Sequence, residues 1–96
     1  MTDTTDAFHR LRDVLIEAAS HRDERQDFHP ASGELGWIIY EREQMIAAVN
    51  AIRAERGLSS ASMQTIEDAE SSACGHTDYV AKFAYRCAEI AVGRVR

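Results

Sequence analysis

The densest group of chemically active side chains is Cys74-Gly-His76-Thr-Asp78-Tyr79, with Glu70 one helical turn before it. Thiolate, imidazole and carboxylate are the ligand set for zinc. The spacing argues against a closed site. Structural zinc sites pair their ligands a few residues apart twice over, whereas here only Cys74-x-His76 is local. Nucleophilic chemistry would need Cys74 or a serine beside a histidine and an orienting group. No nucleophile elbow and no phosphate-cradling glycine motif accompanies them. The expectation is therefore that the chain is not an enzyme and holds neither metal nor cofactor. Gly75 reads as a helix stop, Thr77 as the cap of the next helix and Asp78 as first-turn charge. His76, Asp78 and Tyr79 remain the candidates if this turn is functional.

A second group is built for contact rather than catalysis. Trp37 and Tyr40 lie three residues apart, on one flank of a helix, with Met45 further along. Tryptophan and tyrosine anchor interfaces because they bury much area at small entropic cost. They are equally good core residues in so small a domain. Four consecutive large apolar residues, Trp37-Ile-Ile-Tyr40, cover every side of one helical turn, which predicts burial on several faces or a partner. Ala47, Ala48, Ala51 and Ala54 leave room for a second helix to approach.

A third group is cationic. Lys82, Arg86 and Arg94 give the C-terminal segment a basic side, so residues 60–94 can be read as a helix pair that meets DNA. The overall charge opposes this. The chain carries 16 acidic and 11 basic residues, a net charge of −5. Residues 1–48 account for all of it, with residues 49–96 neutral. Nucleic-acid affinity rests largely on neutralising phosphates, so DNA is the weaker reading.

Helices must position all three groups. Phe8, Leu11, Val14, Leu15 and Ala18 form one face of a first helix beginning near Asp3–Asp6, with Ile16 off the stripe. The charged stretch 22–33, with the only proline at Pro30, predicts a solvated connector. Leu35, Ile38, Met45, Val49 and Ile52 mark a long second helix over 35–56, with Arg42 filling one slot of the stripe. Gly57 after Arg53 and Arg56 reads as its stop, with Leu58 folding back. Met63, Ile66, Ala69 and Ala73 mark a shorter helix whose Glu67, Asp68 and Glu70 give it an acidic surface. Val80, Phe83, Ala84, Cys87, Ile90 and Ala91 mark the last. The fold class that follows is all-α, an irregular bundle of about four helices forming one domain over residues 1–96.

Composition agrees with a small globular domain. Of 96 residues, 45% are apolar, but alanine is the commonest, so the core rests on few large side chains. No run approaches the roughly 20 apolar residues of a membrane span. The acidic MTDTTDAF start is unlike a secretory signal, and two cysteines make no disulfide framework. A cytoplasmic protein with reduced thiols is expected. The ten arginines against one lysine, with abundant alanine, match GC-rich coding.

The patterns W-I-I-Y-E-R-E-x-M-x-x-A-V-N, R-A-E-R-G-L and A-C-G-H-T-D-Y-V-A-K-F-A-Y-R-C-A-E resemble small uncharacterised helical proteins of actinobacteria and their phages, over residues 35–91. That resemblance implies a helical fold and such a host, and transfers no activity to any residue. The functional expectation is a non-enzymatic interaction module, of a kind phages encode, paired as a homodimer through Trp37, Tyr40 and Met45. A further protein partner from host or phage fits the same reading. The alternative is a DNA-associated regulator contacting DNA through Lys82, Arg86 and Arg94.

Overall fold

The computed structural model describes residues 3–20 and 33–94, with side chains placed from Thr4 and, in the second stretch, from Ile39 onward. The predicted connector 22–33 therefore lies almost wholly outside the described residues, as does the side chain of Trp37. Four helices form: α1 (Asp3–Ser20), α2 (Gly33–Glu55), α3 (Met63–Ala73) and α4 (Tyr79–Ala91). Among the described residues there is no strand, and the fold is all-α. No helix in them is long and apolar enough to cross a membrane.

Each helix turns its apolar stripe inward. α1 buries Ala7, Leu11, Leu15 and Ala18, and leaves Ile16 exposed on its outer side, as its spacing predicts. α2 buries Met45, Val49 and Ile52, α3 buries Ile66, Ala69 and Ala73, and α4 buries Phe83, Ala84, Cys87, Ala88, Ile90 and Ala91. All of these but Ala18 make one continuous core. Val80, expected on the inward face of α4, is 39% exposed. It sits in the first turn of α4.

Helix directions follow from the contacts. Arg10 of α1 meets Glu55 near the end of α2, whereas Val14 and Ala18 share a groove with Tyr40 and Gln44. α1 thus runs antiparallel to α2. Arg42 of α2 meets Glu70 near the end of α3, while Asn50 meets Ala61 just before α3 begins. Glu41 meets Tyr79 at the start of α4, and Arg53 donates to the carbonyl of Ile90 at its end. α2 and α4 are parallel, and α3 returns between them without touching α1.

The helix ends are specified locally. Gly57 adopts φ +72°, and Leu58 N–H bonds Arg53 O while Gly57 N–H bonds Ala54 O, a Schellman closure. α4 ends the same way at Gly93, whose Cα side packs against Leu58. Arg53 also donates to Ser59 O, tying the connector down. Ser62 caps α3 by accepting from Thr65 N–H. The α4 cap is Asp78, with no side-chain hydrogen bond, so the expected capping by Thr77 is not the arrangement found. The helix starts one residue later than the sequence pattern suggests, which leaves Thr77 in the preceding turn.

Candidate functional site

The side chains that converge in this fold are Glu41, Arg42, Glu67, Glu70 and Tyr79. α2 supplies Glu41 and Arg42 from adjacent positions, the second in an apolar slot of its stripe. α3 supplies Glu67 and Glu70, one turn apart on the side facing α2. α4 supplies Tyr79 from its first residue. Arg42 donates to Glu70 Oε1 through Nε at 2.7 Å and Nη2 at 2.6 Å, and its Nη1 lies 3.8 Å from Glu67 Oε2. The Tyr79 hydroxyl lies 3.1 Å from Glu41 Oε1 and 3.2 Å from Glu70 Oε2, so two carboxylates face one phenolic proton.

Glu41 and Glu70 are the two buried charged residues of the described chain, at 8% and 6% exposure. A buried carboxylate is tolerated only when paired and hydrogen-bonded. Glu70 meets that condition through Arg42 and Tyr79. Burial pushes the Tyr79 phenol well above its ordinary range, and the charges of Glu41 and Glu70 push it further the same way. The phenol therefore stays a neutral donor. Burial, with the Glu70 charge added, pushes the Cys87 thiol up to about 12. Cys87 is a core residue and a poor nucleophile.

Of the turn residues singled out by sequence, Tyr79 belongs to this network, while His76 and Asp78 are exposed. Cys74 is exposed, and Glu70 points inward to Arg42. Ala73 through His76 forms a type II turn: Cys74 has φ −59° and ψ 136°, Gly75 has φ +86°, and His76 N–H bonds Ala73 O. Among the described residues, no three His, Cys, Asp or Glu side chains gather in a metal-holding group.

Tyr40 is half-buried and lines a groove of about 330 Å³ between α1 and α2, with Val14 and Ala18 beside it and Arg10, Asp13 and Glu17 around it. Met45 corrects an expectation. It is 0% exposed within its own chain, locked among the core residues, and presents nothing to a partner. Its position in the stripe with Val49 and Ile52 is what turns it inward. Lys82, Arg86 and Arg94 are all exposed, and Arg86 lies 3.3 Å from Glu89 in the same helix.

Sequence reasoning missed Glu41, Arg42 and Glu70 as a unit. A signal existed for two of them. Arg42 fills an apolar slot of α2, and Glu70 sits four residues after Ile66 and three before Ala73, on the buried side of α3. Opposite charges in the apolar stripes of two helices point to a buried pair. The chain matches no protein-family model, no curated protein and no solved structure.

Proposed function

We propose that this protein is a non-enzymatic interaction module that acts as a small homo-oligomer, a two-fold dimer in its simplest form. The observation that carries this is the groove between α1 and α2, where Tyr40 stands partly exposed beside Val14 and Ala18 with charged side chains around it. An aromatic anchor within a polar rim is the usual anatomy of a contact surface. Closed two-fold pairing is the commonest way for a small domain to cover one. Trp37 lies one turn before Tyr40 on α2 and extends the same reading. The polar network at Glu41, Glu70 and Tyr79 fits a structural role, because Arg42 and Tyr79 already satisfy Glu70 from within the chain. A cytoplasmic setting and an actinobacterial or phage origin belong to this proposal.

Sedimentation velocity at micromolar concentration tests it. The wild type is expected at about twice the 10.7 kDa chain mass. Tyr40→Ala should weaken pairing by roughly thirtyfold, the effect of losing an interface anchor. Circular dichroism should stay helical. A wild type that remains monomeric at high concentration overturns the reading.

A second reading is favoured by one feature of α4, whose outer side presents Lys82, Tyr85 and Arg86, with Tyr85 52% exposed. Cations beside an aromatic ring suit a nucleic-acid strand. A gel-shift titration separates the two readings, since affinity that falls steeply with salt belongs only to this one.

A further inference from the structure

α3 is the shortest of the four helices, and Met63 in its first turn is only partly buried against the core. Its buried face consists of Ile66, Ala69, Ala73 and Glu70, one large aliphatic residue among small ones and a charge. It packs on α2 and α4 and does not meet α1. Much of what fastens it is polar: Arg42 to Glu70 and Glu67, and Tyr79 to Glu70. For such a latch, the Coulomb attraction is offset by desolvation, so its net contribution is small for the number of contacts it makes.

Both ends of α3 lead into pivots. Upstream, the connector is held to α2 as far as Ala61, whose N–H and C=O both bond the Asn50 side-chain amide, at 2.8 and 3.4 Å. Downstream lies the type II turn at Gly75. The buried apolar residues of α3 share one core cluster with the fully buried Cys87 and, one turn before it on α4, Phe83.

We infer that α3 is a hinged lid. It undocks from the α2–α4 face as a unit while α1, α2 and α4 stay packed, and it uncovers the apolar stripe around Phe83 and Cys87. Elements with few buried apolar contacts open at lower free energy than the whole fold. The inference is independent of the self-association proposed above.

The two cysteines supply the reporter, because Cys74 is exposed and Cys87 is buried. At neutral pH a maleimide should label Cys74 at the rate of a free thiol and Cys87 only on opening. Cys87 labelling and amide exchange at Ile66 and Ala69 should report one opening frequency. That frequency should be at least ~10-fold above the one at Leu11 and Leu15 of α1. Two variants separate lid opening from global unfolding. Leu15→Val loosens α1, so exchange at Leu11 should rise about fivefold while Cys87 and Ile66 are unchanged, since α1 remains docked when the lid opens. Arg42→Gln loosens the latch and should speed Cys87 labelling about tenfold or more. Cys87 labelling that rises in step with Leu11 exchange in Leu15→Val would show that α3 leaves only when everything unfolds. Unchanged labelling in Arg42→Gln would remove the latch.

Discussion

At the scale of single residues, Tyr79 is where three helices are joined by one atom. Its hydroxyl comes from α4 and reaches Glu41 of α2 and Glu70 of α3, while its ring packs 5.7 Å from that of Phe83. Tyr79→Phe keeps the ring and removes the donor. Urea unfolding should then show a loss of about 1–3 kcal/mol, the cost of leaving buried acceptors short of a partner. Titration gives a second prediction. Tyr79 is raised above its ordinary value of 10.0, and Cys87 above 9.0 to about 12. Both groups therefore hold their proton more tightly in the folded chain than in the unfolded one. Their contribution is complete below those ordinary values and is lost as pH climbs towards the raised ones. Stability should fall above about pH 9, first through Cys87, by about 1.4 kcal/mol per pH unit, and then also through the half-buried Tyr79, whose share solvent screening makes smaller. In Cys87→Ala the decline should begin nearer pH 10. A urea midpoint that stays flat between pH 8 and 11 would contradict this.

At the scale of elements, the turn between α3 and α4 separates two substitutions that look alike on paper. Gly75 holds φ +86°, a conformation that disfavours side chains bearing a Cβ, so Gly75→Val should cost about 1–2 kcal/mol by thermal or urea melting. Thr77→Ala should stay within about 0.5 kcal/mol, because Asp78 occupies the cap position and no hydroxyl bond is lost there. The difference shows which features a sequence carries. Periodicity at Leu11, Leu15, Val49, Ile52, Ile66, Phe83 and Cys87 identifies inward faces, since each helix repeats the same residue classes at the spacing of its turns. Glycine stops at Gly57 and Gly75 are legible because few residues tolerate positive φ. Cap identity shifts by one residue between Thr77 and Asp78, and nothing in the local pattern fixes that step. The network of Glu41, Arg42 and Glu70 depends on which helices become neighbours, information that periodicity along one helix does not hold. The inward position of Glu70 is legible from Ile66 and Ala73, but its partners are not. Met45 and Tyr40 are five residues apart on α2; the stripe shared with Val49 and Ile52 turns the first inward, while the packing of α1 leaves the second lining a groove.

At the scale of the whole molecule, α4, like α2, contacts each of the other three helices. Phe83 is its largest fully buried side chain. Phe83→Ala should remove about 3–5 kcal/mol, a large part of what a small domain has, and should leave much of the population unfolded by far-ultraviolet circular dichroism at 37 °C. Ile16→Ala, at an exposed position on α1, should leave the melting temperature nearly unchanged. A molecule whose stability tracked the two equally would have its core elsewhere.

The parallel course of α2 and α4 brings their C-terminal ends side by side, with Leu58 against Gly93 and the guanidinium of Arg53 bonded to Ile90 O. Each helix end carries about half a negative elementary charge from its aligned peptide dipoles. Two such ends held together amount to about one, and Arg53 supplies a matching positive charge from within the fold. Arg53 thus offsets part of the negative potential at that pole of the bundle. Arg53→Gln would bare both dipoles at once. The variant's stability deficit should be greatest in dilute buffer and shrink as salt is added, because mobile ions would then screen what the arginine had cancelled.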